Sequence, residues 1–286
     1  MPVLAAGVGG DSNSDATISI REALQAGFTS IDTAHDYSNF PGVAAALLNV
    51  PRESYFLTTK VPGCGVPTQG LQPPCYNNTL KLSQYNLDSM KVEQVDLLLL
   101  HFPPLFGCSK GSASCTKMQQ QWLALEDFYK MNKTRAIGVS NYCKECIQCI
   151  LETAKINPMV NQMETHVGIP YGNYGLRSFC KEQGIALEAY SPLAHGKVLH
   201  LPEIEAIAAS KNKSTAQIAL RYVLQLGGNS FAPFVTSSSN PEHLAEDLDV
   251  VTGGWSLDSI EMMKLNNITN PACMVEAPGG CCSKHS

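Results

Sequence analysis

The 286-residue chain is predicted to fold as a single (β/α)8 TIM barrel, and three observations point there. Short apolar runs alternate with amphipathic stretches from end to end, the pattern of βα units feeding a parallel sheet. Eight such runs can be counted, and most end in a polar, chemically capable side chain. The length suits one barrel of ~250 residues, and no Gly-, Ser- or Pro-rich linker divides the chain. One domain is therefore expected over residues 1–286, with a C-terminal tail from about 270 expected to be flexible.

In chain order the strands are expected at Val3–Gly7, Phe28–Asp32, Tyr55–Lys60, Val95–His101, Ala136–Ser140, Met159–Met163, Ala186–Ser191 and Ala232–Thr236. Helices are expected at Thr17–Gln25, Tyr76–Ser89, Gln119–Met131, Lys144–Ala154, Leu176–Gln183 and Thr215–Leu226, and another is expected to begin near Pro241. Gly27, Gly184 and Gly227 stand where helices stop, as helix-terminating glycines do. Eight βα units could also build an open doubly wound sheet. That fold carries a Gly-x-Gly-x-x-Gly turn after its first strand, and Gly7-Val8-Gly9-Gly10 has a different spacing with no acid at the required distance beyond it. A closed barrel is favoured.

Composition narrows the partners. Charged residues make up 16% of the chain and the net charge is −5, so there is no basic field for nucleic acid. The longest apolar run, Val95–Leu100, is strand-length and interrupted by Asp96, far short of a membrane span. Met1–Gly7 lacks the basic stretch and long apolar core of a secretory signal. The expectation is a cytoplasmic monomer acting on a small molecule, without nucleic acid or membrane as partner.

Closing the barrel would bring the strand ends together on one face: Asp32, Lys60, His101, Ser140-Asn141, Gln162, Tyr190-Ser191 and Thr236-Ser237-Ser238. Tyr37 follows Asp32 by five residues, in the next loop. A lysine at a strand end is costly to bury without a partner, and Asp32 is the natural one. An ammonium beside a phenol favours the phenolate and lowers the Tyr37 pKa from ~10 toward the working pH, where a general acid is most effective. His101 can hydrogen-bond a substrate oxygen. These four groups suit protonation of a carbonyl oxygen as hydride reaches its carbon.

The segments that carry these residues resemble the aldo-keto reductase superfamily. They are Phe28-Thr29-Ser30-Ile31-Asp32-Thr33-Ala34-His35-Asp36-Tyr37, the lysine strand Pro51–Lys60, Val95–His101, Arg135–Tyr142, Asn161-Gln162, Ala189-Tyr190-Ser191-Pro192-Leu193 and Ser239–Asp247. The resemblance implies an NAD(P)H-dependent reductase of aldehydes or ketones with Tyr37 as the acid and Asp32, Lys60 and His101 completing a tetrad. It also implies that Ser140, Asn141 and Gln162 hold the nicotinamide carboxamide, that Tyr190 stacks on the ring, and that Ser191 and Leu193 line the pyrophosphate path. Ser237, Ser238, His243, Glu246 and Asp247 would surround the adenosine end. A barrel that binds the cofactor as a regulatory subunit is the rival, and the complete tetrad argues against it.

Departures from the family pattern matter most at the 2′-phosphate of NADP. The lysine and arginine common there are replaced by Ser237 and His243, so a fixed charge and a bidentate fork are missing. NADP(H) remains the preferred cofactor, with NAD(H) as the alternative. A Gly/Pro-rich insertion around Val61–Pro74 is expected to reshape the mouth above Lys60. Substrate selectivity is expected from Phe102–Cys115, Tyr171–Gly175 and the tail.

The chain has 11 cysteines. Cys143-x-x-Cys146-x-x-Cys149 has a spacing seen in iron–sulfur ligation, but it opens a predicted helix and lacks a fourth cysteine. Buried thiols are the better account, and no metal site is expected. Cys64/Cys75 and Cys108/Cys115 each bracket a loop and are expected to be free thiols. His35 and His166 are read as loop histidines with satisfied hydrogen bonds.

Overall fold

Eight parallel strands pair in chain order and the last closes on the first: β1 (Leu4–Gly7), β2 (Ser30–Asp32), β3 (Phe56–Val61), β4 (Val95–Leu100), β5 (Thr134–Ser140), β6 (Val160–Glu164), β7 (Ala186–Tyr190) and β8 (Phe234–Thr236). The structure, a computed structural model, describes residues 1–65, 71–104, 108–169, 175–227 and 233–268. β1 pairs with β2 through Ala6↔Ile31 and with β8 through Ala5↔Val235, which seals the barrel. The expected tail from about 270 lies outside the described residues.

The helices are α1 (Asn13–Ala26), α2 (Phe40–Leu47), α3 (Cys75–Met90), α4 (Ala113–Lys130), α5 (Lys144–Leu151), α6 (Leu176–Glu182), α7 (Pro202–Lys211), α8 (Thr215–Leu226), α9 (Pro241–Thr252) and α10 (Ser259–Asn266). All six helices expected before residue 227 are present. Local chemistry sets several ends. Ser12 caps α1 by accepting from the Asp15 N–H, and Gly27 ends it at φ 110°. Ser214 and Gln217 form a capping box on α8.

Pattern reading did not find α2, α7 and α10. The α2 sequence Phe-Pro-Gly-Val-Ala-Ala-Ala-Leu is apolar nearly throughout, so it lacks the polar face that marks an amphipathic helix. Gly42 shows how tightly α2 is held: a Cβ there would fall 2.2 Å from the Asn13 carbonyl oxygen at the start of α1.

β4 shows how the core is divided. Leu98 and Leu100 pack with the surrounding helices, whereas Leu97 and Leu99 form a separate cluster with Val160. Asp96, the acid that interrupts this run, is 1% exposed. It accepts from Arg52 Nη2, from Arg135 Nη1 at 2.7 Å and from the Leu57 N–H at 2.8 Å.

The cysteines correct the sequence expectation. Cys64 is bridged to Cys75, while Cys108 and Cys115 are bridged to Cys146 and Cys149 rather than to each other. The partners lie 34 and 38 residues apart in sequence, a separation that spacing alone could not pair. Two bridges therefore tie the segment around the start of α4 to α5. Cys143 stands outside the bridges, with its sulfur 3.5 Å from that of Cys146.

Candidate active site

Lys60 is carried inward by β3 and is fully buried. Its ammonium pairs with Asp32 Oδ1 and donates to the Thr33 carbonyl at 3.2 Å and to Tyr37 Oη at 3.4 Å. Three N–H groups thus meet three acceptors, which satisfies a buried lysine. Burial opposes its charge, but Asp32 and Tyr37 outweigh burial and hold the ammonium above the usual lysine range.

Tyr37 sits in the short 3-10 turn His35–Tyr37 that follows β2. Its ring lies edge-on to His101, with centroids 5.7 Å apart. Gly9 makes room for it, since a Cβ there would come within 3.1 Å of the phenol ring. The expected lowering of the Tyr37 pKa does not prevail. Burial pushes the phenol up, and the Lys60 charge offsets only part of that.

His101 Nδ1 lies 2.7 Å from Asp36 Oδ2. Burial holds this histidine below its usual range, against the opposing pull of Asp36. A neutral imidazole donating Nδ1–H to a carboxylate keeps a lone pair on Nε2. His101 is therefore an acceptor at neutral pH.

The residues expected at the nicotinamide also converge. Ser140, at the end of β5, and Gln162, midway along β6, are buried and in register across the two strands. Asn141, at φ 63°, donates to the His101 carbonyl at 3.0 Å and to Ser140 Oγ at 3.2 Å, and accepts from Tyr190 Oη at 2.7 Å. Gln162 Nε2 donates to Asp32 Oδ2 at 2.9 Å and to Glu188 Oε2 at 2.8 Å. Glu188 is 3% exposed, and burial, reinforced by the Asp32 charge, pushes its carboxyl up to about 7.

Two cavities open here. One, of about 720 Å³, is walled by Tyr37, His101, Ser140, Asn141, Gln162 and Tyr190, with Pro62, Leu71 and Phe102 among its outer lining. The other, of about 410 Å³, is lined by Ser191, Leu193 and Ser237 together with Gly9 and His195. Tyr37 and Tyr190 border both.

The adenosine-end residues are less gathered. Ser237 reaches the second cavity. Ser238 Oγ instead accepts from the Asn240 N–H, His243 is exposed on α9, and Glu246 accepts from Ser214 Oγ at 2.8 Å. Asp247 is buried, and burial pushes it up to about 7. Of the selectivity segments, 105–107 and 171–174 lie outside the described residues. The Val61–Pro74 insertion does reach the mouth through Pro62 and Leu71.

Of the two loop histidines, His35 Nδ1 meets Asn86 Oδ1 at 3.0 Å, and His166 Nδ1 meets the Val167 carbonyl at 2.7 Å. His166 Nε2 is buried without a hydrogen bond, 3.4 Å from Glu164. Asp36, Glu188 and His195 are site residues that sequence reasoning missed. An acid between Leu187 and Ala189 in an apolar strand was the available signal for Glu188.

The model of the Aldo/keto reductase family matches residues 6–268. The chain belongs to this family. Among characterised relatives, glyoxal reductase of Bacillus subtilis (strain 168) is 39% identical over 219 residues, covering 76% of this chain and 72% of the relative. The 9,11-endoperoxide prostaglandin H2 reductase of Trypanosoma cruzi is 34% identical over 274 residues, covering 94% and 88%. Among solved structures, a Gox0644 mutant in complex with NADPH superposes with a TM-score of 0.83 at 28% identity, covering 98% of this chain and 94% of that one. Membership in this family makes the protein an oxidoreductase of the nicotinamide-dependent kind, acting on small carbonyl compounds. No described helix is long and apolar enough to cross a membrane.

Proposed function

We propose that this aldo-keto reductase reduces an aldehyde or ketone to an alcohol with NADPH as the favoured cofactor, Tyr37 delivering the proton. One observation carries the assignment of the acid. Lys60 donates to Tyr37 Oη, so the phenol's own O–H is left to point elsewhere, and the cavity beside it is where a carbonyl oxygen can take it.

The reduced nicotinamide supplies the hydride when bound; the remaining tasks fall to the chain. Tyr37 transfers its proton to the carbonyl oxygen as negative charge develops there. A developing alkoxide is far more basic than a phenolate, so the raised Tyr37 pKa does not prevent the transfer. Lys60 steadies the resulting phenolate by charge and hydrogen bond, and Asp32 keeps Lys60 aimed. His101 accepts rather than donates, so it orients a hydroxyl or hydrate beside the carbonyl and leaves the carbonyl oxygen to Tyr37. Ser140, Asn141 and Gln162 would hold the carboxamide, Tyr190 would face the ring, and Ser191, Leu193 and Ser237 would follow the phosphates.

The test is cofactor consumption against a panel of aldehydes and ketones, with NADPH and with NADH. Turnover of at least one carbonyl is expected in the wild type and its loss in Tyr37→Phe. Binding of the cofactor without turnover of any carbonyl would instead favour a regulatory barrel.

A further inference from the structure

Glu188 has no part in the chemistry above, yet it is buried beneath it. β6 and β7 pair with Gln162 opposite Glu188, so the two side chains leave neighbouring strands at one level of the barrel. Gln162 has a single amide nitrogen with two hydrogens, and both are taken. Asp32 Oδ2 accepts one at 2.9 Å and Glu188 Oε2 the other at 2.8 Å. Turning the amide over would set its carbonyl oxygen against Asp32 Oδ2, which is paired with the Lys60 ammonium and has no proton to give, whereas a protonated Glu188 could meet either orientation. The amide is therefore held with Oε1 free of any partner among the described residues, and Gln162 lines the larger of the two cavities. Asn141, the other amide there, has committed its nitrogen to His101 and Ser140 and one lone pair of its oxygen to Tyr190, so it can meet the carboxamide only through the remaining lone pair of that oxygen.

We propose that Glu188 is a positioning residue that fixes the Gln162 amide, so that the cavity presents an acceptor to the amine of the nicotinamide carboxamide. This rests on the cofactor site described above and adds a residue to it. Asp32 alone would hold one hydrogen of the amide and leave it free to swing about that bond; the second bond, from the neighbouring strand β7, removes the swing. The same arrangement forms a row, Lys60–Asp32–Gln162–Glu188, that links the acid's partner to the cofactor's amide. The charged groups facing Glu188 are Asp32 and Lys60 across the barrel and the chain's amino terminus.

The experiment compares two ligands that differ only at the nicotinamide end: NADPH, and 2′-phospho-ADP-ribose, which lacks it. In Glu188→Met, NADPH should bind about tenfold more weakly, the scale of one hydrogen bond, while 2′-phospho-ADP-ribose stays within about twofold of wild type. Glu188→Gln, which can still offer Gln162 a carbonyl oxygen, should recover NADPH to within about threefold. In Gln162→Met the Glu188→Met change should have no further effect, because Glu188 acts through that amide. Equal weakening of both ligands, unchanged NADPH binding in Glu188→Met, or no recovery in Glu188→Gln would each overturn the proposal. Should Glu188→Met not fold, hydrogen exchange of the wild-type Gln162 amide decides. Both protons should be protected, and free exchange of either would refute the lock. A wild type that binds 2′-phospho-ADP-ribose but gains nothing from the nicotinamide would sink this proposal alone; one that binds neither ligand would sink the cofactor reading as well.

Discussion

The two ends of the barrel each bury an acid paired with a basic side chain, but they use the acid differently. At the N-terminal end, Asp96 accepts from Arg52, Arg135 and the Leu57 N–H, and both guanidiniums also reach water. Among the described residues, nothing there is left over for a ligand. At the C-terminal end, Asp32 is tied to Lys60 and Gln162, and each of those is tied to a second group. Among the described residues that network, with His101 beside it, still leaves the Tyr37 O–H, the Gln162 carbonyl and His101 Nε2 unspent beside a cavity. A closed network stabilises, while an open one can bind and react, as the two faces of TIM barrels generally divide the work.

The sharpest way to test that division is to cut one group at each end. Tyr37→Phe should lower kcat by about 10²–10⁴, the usual contribution of a general acid. It should leave the melting temperature and the Kd for NADPH nearly unchanged, as read by steady-state kinetics, thermal denaturation and fluorescence titration. A variant retaining more than about half of wild-type kcat would remove Tyr37 from the role. Asp96→Ala should do the reverse. Stability should fall by about 3 kcal/mol, the low end for a broken buried pair because the arginines can turn to water. The kcat of the folded fraction should stay within about twofold.

A smaller effect should appear with pH. Burial pushes Glu188 and Asp247 up to about 7, so between pH ~4.5 and ~7 the folded chain holds protons that the unfolded chain has released. Their contribution to stability is fully present below the unfolded values and is lost as pH rises through about 7. Glu188→Gln removes its own share, so the fall in stability between pH 5 and 8 should flatten by on the order of 2 kcal/mol. Denaturant titrations at each pH would show it, and an unchanged slope would mean that Glu188 does not titrate in this window. Asp247→Asn should flatten the slope independently.

What could be read from sequence follows from range. The eight strands and the convergence of Asp32, Lys60 and His101 at one end of the barrel were legible because each strand carries its own apolar run and its own end residue, and closure does the rest. The Cys108–Cys146 and Cys115–Cys149 bridges were not, because the choice of partner is made by the approach of α4 to α5 and not by spacing. The pKa of Tyr37 was misjudged for a similar reason. Lys60 acts in the expected direction, but the depth of burial, which sequence does not report, outweighs it. The Asp36–His101 bond escaped because it joins the loops after β2 and β4, which only the closed barrel brings within reach.

The smallest effect concerns the far end of the cofactor groove, where the chain departs most from its family. The 2′-phosphate of NADPH carries about two negative charges, and a lysine and an arginine would normally meet it with charge-assisted bonds. Here Ser237 borders the groove, Ser238 accepts from Asn240, and His243 lies exposed on the first turn of α9. Hydroxyls and a helix N-terminus attract phosphate more weakly than a guanidinium fork. The preference for NADPH over NADH should therefore be modest, on the order of tenfold or ~1.4 kcal/mol. Ser237→Lys combined with His243→Arg should enlarge the preference, because both substitutions put a fixed positive charge at the groove. Kd values for both cofactors, in the wild type and in the double variant, provide the measurement. A large preference in the wild type would place other groups on the phosphate, and tighter binding of NADH would mean that this groove no longer reads the phosphate at all.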